Sequence, residues 1–257
     1  MRVVLNDNGG YQLDQEEALN DLLHEHGLSN ANSTLVPIGF DCYEIHPSDN
    51  ALLEDKGKNG LPTDKELQSL VGSLLWVARC TRPDIVFAVH KATHQTHQPL
   101  LHDWKLAKRV TRYLKGTKSM KLNMTPSEND RMSIVVENYS DADFASDKSD
   151  RKSLTGGIIF LNGMAVSWCA KKQGGVSLSI MEGKFVAASE VARELLGIRE
   201  MLCKFGAVPK LPMSMHFDNQ AAIRQLEIEA SSLKAKHIDV RVKFVYNFAR
   251  RGIVLAL

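Results

Sequence analysis

The chain has 257 residues, 44% of them hydrophobic and 24% charged, a globular composition long enough for one large domain or two medium ones; two are expected. A formal net charge of +2 excludes a globally polycationic surface, so any contact with a polyanion has to come from local clustering. No run approaches the roughly 20 apolar residues of a membrane span, and "MRVVLNDNGG" has no signal-peptide core. Cys42, Cys80, Cys169 and Cys203 include no CxxC pair, which argues against a zinc knuckle and a disulfide framework. The expectation is a soluble intracellular protein, cytoplasmic or nuclear, with no membrane contact.

In chain order, "VVLNDNGGYQL" sets apolar flanks around a turn composition and predicts a β-hairpin. A short helix from Gln15 to His26 follows and stops at Gly27, and residues 44–62 lack an apolar period and read as a loop. In "TDKELQSLVGSLLWVARC", Leu67, Leu70, Val71, Leu74, Leu75 and Ala78 define the apolar face of a helix. Thr81 offers an N-cap for the next, with Asp84 near its positive end. Its continuation carries His90, His94 and His97. Three imidazoles on one face can suit zinc, but with no Glu or Cys beside them a polar helix face is preferred.

The helix predicted from Asp103 to Lys115 has an apolar side, Trp104, Ala107, Val110 and Leu114, and a basic side, Lys105, Lys108, Arg109 and Arg112, with Gly116 as its C′ residue; Lys115, Lys118 and Lys121 continue the basic run. A basic run is ordinarily a solvated face; phosphate contact is the alternative. Lys171 and Lys172 are candidate extensions of such a track. Trp76, Trp104 and Trp168 lie in apolar-periodic stretches and are expected in the core. "TPSENDR" is polar and breaker-rich, and beyond it helices give way to strands, which divides the chain into domains at 1–125 and 132–257.

The second region reads as a strand from Ile134 to Tyr139, two strands in "SLTGGIIFLNG" and "MAVSWCAKK" joined by Asn-Gly, and a helix from Met181 to Lys204. A strand "MSMHF", a helix opening at "DNQAAIRQLE", a helix in "KHIDVRVKFVYNFARR" with Ile238, Val242, Val245 and Phe248 aligned, and a strand "GIVLAL" complete the order. The class is α/β, a mixed sheet with helices packed on it, preceded by an α+β region.

Asp141 just past the first of these strands, Glu182 in the first turn of the long helix and Asp218 at the end of the next strand occupy similar local positions. Strand ends in an α/β sheet form a crevice where three such carboxylates can meet, and oxygen donors of this kind suit Mg²⁺ or Mn²⁺. A solvated turn is the plainer reading of each acid, and spacing leaves both open. Asp143 is a near neighbour of the first acid; Asp147 and Asp150 are expected to face solvent.

The words around these residues narrow the choice. "YSDADFASDKSDRKSLTGGIIFLNGMAVSWCAKKQ", "LSIMEGKFVAASEVARE", "HFDNQAAI" and "KHIDVRVKF" resemble, in this order, the ribonuclease H domain of copia-type retrotransposon Pol polyproteins. "LVGSLLWVARCTRPDIVFAVHKATHQTHQPLLHDWKLAKRVTRYLKGT" is similar to the end of the reverse transcriptase in the same family, and "LNDNGGYQLDQEEALNDLLHEHGL" to the hairpin and helix after the polymerase palm. The resemblance implies a mainly helical thumb and connection-like region over 1–125, without the palm, and a ribonuclease H-like five-stranded mixed sheet with flanking helices over 132–257. Asp141, Glu182 and Asp218 would then be catalytic metal ligands, Asp141 bridging two Mg²⁺ or Mn²⁺ ions, in a nuclease cutting the RNA strand of RNA–DNA hybrids.

An upstream polymerase domain is the implied polyprotein partner. Lys105, Lys108, Arg109, Arg112 and Lys115 would touch the hybrid backbone without reading its sequence. "YSDAD" is not the adjacent acid pair of a polymerase site, and no nucleotide transfer is expected.

Two departures stand out. The family places a fourth carboxylate on a last helix, and the chain ends at Leu257 before it, so one metal position is expected to be under-liganded; Asp239 matches a different place in the pattern. "SIMEGKF" stands where the family has something closer to "STTEAEY", which keeps Glu182 but puts Lys184 in place of an acid, a charge change expected to weaken cation binding. The alternative is therefore an inactive nucleic-acid-binding relic.

Overall fold

The computed structural model describes residues 1–6, 9–42, 46–55, 62–93, 97–126, 133–218 and 236–257. These form two compact units, Met1–Asn123 and Met124–Leu257. Among the described residues no helix is long and apolar enough to cross a membrane.

In the first unit, β1 (Arg2–Leu5) and β2 (Tyr11–Asp14) pair antiparallel as the predicted hairpin, and β3 (Leu122–Met124) follows β2 in the sheet. Helix α1 (Glu16–Glu25) ends before Gly27, whose φ of +66° is the left-handed conformation that glycine adopts without penalty. Helix α2 (Asp64–Cys80) starts on a capping box: Glu66 N–H donates to Thr63 Oγ1 at 3.2 Å while Glu66 Oε2 accepts from Thr63 N–H at 2.7 Å. Its stripe of Leu67, Leu70, Val71 and Leu74 is buried against α3 (Val86–Ala92) and α4 (Leu101–Gly116), with Ile85, Val89, Leu106, Val110 and Leu114 facing it. Burial of such side chains is worth roughly 1.5–3 kcal/mol each, which is why the apolar period was a sound guide here.

Several expectations need correction. Thr81 does not cap a helix: it is buried and its hydroxyl donates to Gln15 Oε1 at 2.5 Å, while a 3-10 turn at Pro83–Ile85 leads into α3. Trp76 is exposed, and so is Leu75, which the predicted apolar face had included, because both fall outside the arc defined by Leu67, Leu70 and Leu74. Gly116 lies inside α4 rather than beyond it, and its value is close approach: a Cβ there would stand 2.9 Å from Ser33 Cβ. His90 is on α3, and His94 lies outside the described residues.

The second unit is a five-stranded sheet in the order β6-β5-β4-β7-β8. Strands β4 (Val136–Asp143), β5 (Leu154–Leu161) and β6 (Met164–Lys172) run antiparallel, with Asn162 and Gly163 both at positive φ in the tight turn that "LNG" predicted. Strands β7 (Met213–Phe217) and β8 (Val254–Ala256) add parallel to β4. Helix α5 (Ile180–Lys204) lies on β4 and β5 through Phe185, Ala188, Val191 and Leu195. Helix α6 (Lys236–Arg250) packs on α5 and β8 and buries Val245. The expected mixed five-stranded sheet with flanking helices is thus the observed one. The helix predicted at "DNQAAIRQLE" lies outside the described residues, as do the side chains of Ile238, Asp239 and Val242.

Candidate functional site

Along β4 the side chains alternate: Val136, Asn138, Ser140 and Ala142 are buried, whereas Tyr139, Asp141 and Asp143 are exposed. Asp141 is therefore inside the strand, not just past it, because its pairing with Gly156 and that of Asp143 with Leu154 prolong the ladder. Tyr139 fixes the outward side beneath it, stacked on His216 at 4.5 Å and edge-on to Phe160 at 5.9 Å. In the parallel pairing Ser140 lies opposite Phe217, so the next residue on each strand, Asp141 and Asp218, falls at the same level.

Helix α5 starts beside this level. Ser179 is its N-cap, with Glu182 N–H donating to Ser179 Oγ at 3.1 Å. The Glu182 side chain turns back over the helix start and accepts from Leu178 N–H at 2.7 Å; the residue is only 6% exposed. A carboxylate there also meets the positive end of the helix dipole.

Two residues on, Lys184 reaches across to both aspartates. Its Nζ is 3.4 Å from Asp141 Oδ1 and 3.2 Å from Asp218 Oδ2, and it donates to the Asp218 carbonyl at 2.7 Å. The Lys184 side chain is 14% exposed, against 69% for Asp141 and 94% for Asp218, so a covered stem delivers an ammonium to two open carboxylates. Burial pushes the ammonium down, but the hydrogen bond to Asp218 and the charges of Asp141 and Asp218 outweigh it and hold Lys184 above the ordinary lysine value.

Of the three acids read from the sequence, the structure gathers Asp141 and Asp218 around one ammonium, while Glu182 Oε2 accepts from Leu178 N–H at the start of α5. Among the described residues no group of three or more His, Cys, Asp or Glu is placed to hold a metal ion. The donor chemistry suits a hard cation; the arrangement does not fit one, because Lys184 already lies between the two aspartates.

One contributor, Gln173, went unassigned at the sequence level, and Lys172, read there as a candidate extension of the basic track, is instead paired within the fold. Gln173, buried just after β6, donates to Thr155 Oγ1 at 3.1 Å and to the Gly183 carbonyl at 2.9 Å, and accepts from Ser177 Oγ at 3.0 Å, tying the first turn of α5 to the sheet. A lone amide closing the strand segment "SWCAKKQ" was its signal. Lys172 is held by Asp147 and lies 3.0 Å from Asp150 Oδ2, so Asp147, with its side chain 12% exposed, does not face solvent as expected. The loop's acids brace the β4–β5 connection to β6.

The five basic residues of α4 have intramolecular partners or neighbours. Lys105 pairs with Asp49 at 2.6 Å, Lys108 lies over the Trp104 ring at 5.5 Å, Arg112 donates to the Asn32 carbonyl and Lys115 to the Ala31 carbonyl, both at 2.6 Å. Thr34 Oγ1 donates to the Arg109 carbonyl at 3.3 Å. Residues 31–34 thus run along the basic side of the helix.

Comparison with known proteins agrees with the sequence words. No family model matches. The chain is 30% identical over 233 residues to the retrovirus-related Pol polyprotein from transposon TNT 1-94 of Nicotiana tabacum, a stretch covering 91% of this chain and 17% of that protein. It is 30% identical over 243 residues to the corresponding polyprotein from transposon RE1 of Arabidopsis thaliana, covering 95% and 16%. Among solved structures, an LC11 ribonuclease H1 isolated from compost is 12% identical over 48% of this chain and 82% of that one, with a TM-score of 0.35, too distant a likeness to carry weight beside the observed strand order. Over nearly its whole length the chain is similar to copia-type retrotransposon Pol polyproteins. It spans about a sixth of the length of these relatives.

Proposed function

We propose that the second unit is the ribonuclease H-type domain of a transposon Pol polyprotein, that it engages RNA–DNA hybrids, and that cleavage of the RNA strand is its ancestral reaction. The observation that carries this reading is the meeting of Asp141 and Asp218 at one level of adjacent parallel strands, beside the first turn of α5 that holds Glu182. A crevice at the carboxyl end of parallel strands is where an α/β sheet binds its ligand. The first unit is the thumb and connection-like segment, next to a polymerase domain in the polyprotein, and its α4 face is the proposed contact with phosphates.

A second reading, a hybrid-binding domain that does not cut, is favoured by the Lys184 ammonium lying between Asp141 and Asp218. The test is cleavage of the RNA strand of a defined hybrid by the full chain with Mg²⁺ or Mn²⁺, set beside Asp141→Asn and a binding measurement. Cleavage lost in Asp141→Asn establishes the nuclease; hybrid binding with no cleavage establishes the second reading. Absence of hybrid binding at low ionic strength overturns both.

A further inference from the structure

Resting on the ribonuclease H-type reading, we infer that Lys184 is a tethered cation that closes the carboxylate crevice to divalent metal, so that the chain supplies by covalent attachment the charge that a bound ion would bring. The inference stands on geometry. A single Nζ makes contacts of 3.4 and 3.2 Å with Asp141 and Asp218 and is anchored to the Asp218 carbonyl at 2.7 Å.

The ammonium is presented from α5, whose first turn is clamped by Gln173 through the Gly183 carbonyl, one residue before Lys184. An incoming divalent ion must displace this ammonium from both carboxylates, and meets its repulsion while it remains near. The exposure of both aspartates weakens each ion pair as a source of stability, but it does not remove the competition, because the tether keeps the ammonium at a high local concentration. The second departure in "SIMEGKF" thus has a definite place: it is the cation between the strands.

The test is Mn²⁺ binding to the full chain, followed by the paramagnetic resonance of free Mn²⁺, for wild type, Lys184→Met, Lys184→Ala, and Lys184→Met combined with Asp141→Asn. Met keeps the unbranched stem and Ala removes it, so a folding defect in one is caught by the other, with circular dichroism as the check. Binding at least about tenfold tighter in both single variants, returning to the wild-type level in the double variant, is the expected result. Equal affinity in wild type and the single variants, or a gain that survives Asp141→Asn, overturns the inference. Hybrid binding by wild type in a chelator is measured alongside: its loss sinks the ribonuclease H-type reading by itself, whereas unchanged Mn²⁺ affinity with hybrid binding intact sinks only the role of Lys184.

Discussion

Arg82 shows how one side chain can organise a helical unit. Its guanidinium is buried, donates to Asp84 at 2.9 and 2.7 Å, and reaches the Thr117 carbonyl at 3.1 Å and Thr117 Oγ1 at 2.7 Å, while Tyr113 O–H donates to Asp84 at 2.9 Å. The planar fork joins the turn before α3 to the end of α4, which a lysine would not do. Burial pushes the Asp84 carboxyl up, but the Arg82 hydrogen bonds and charge, with the Tyr113 hydroxyl, outweigh it and hold Asp84 below the ordinary aspartate value. A depressed carboxylate contributes stability above its unfolded value of about 3.9, and that contribution is lost as pH falls through the folded value. Asp84→Asn should therefore destabilise the chain at pH 7, with a gap to wild type that narrows below about pH 4, as thermal unfolding at several pH values would show. "TRPDI" held both residues in plain view; the partner Thr117, 35 residues along, was not legible because only packing brings it to Arg82.

At the scale of elements, the contact of α5 with the sheet depends on a glycine. A Cβ at Gly157 would lie 2.4 Å from Val191 Cγ2 and 3.3 Å from Cγ1, and a β-branched side chain has little rotamer freedom in a helix with which to yield. At Gly156 the nearest atom is the Asp141 carbonyl oxygen at 3.9 Å, ordinary contact. Gly157→Ala is expected to cost about 1–3 kcal/mol through overpacking, with Gly156→Ala costing less, measured by denaturant unfolding midpoints. "LTGG" announced a strand with glycines, and the resemblance placed it, but which glycine faces the helix follows from register. The same holds for β4. Apolar residues carried the strand only to Tyr139, whereas backbone pairing with β5, indifferent to the polarity of Asp141 and Asp143, carries it to Asp143.

For the whole molecule, a net charge of +2 leaves nucleic-acid binding to a local surface, and α4 is the proposed one. Lys105 is its exposed cation, its side chain 57% open although paired with Asp49. If α4 lies against the hybrid, Lys105→Gln should reduce the magnitude of the slope of log affinity against log salt by about one. An unchanged slope would move the contact elsewhere on the chain. Arg112 and Lys115, tied to the 31–34 segment, are poorer probes because removing them also releases that segment.

By itself the sequence determined the kinds of element, their order and the family likeness, because apolar period, turn chemistry and motif words are local properties of the chain. It also marked Asp141, Glu182 and Asp218 as residues of interest, and Lys184 as a change of charge. Only the tertiary structure decided what these four do together. The level of Asp141 with Asp218 is a matter of strand register, and the turn of Glu182 toward Leu178 a matter of helix capping. The position of the Lys184 ammonium depends on how α5 lies across the sheet, a relation between segments that no local pattern encodes.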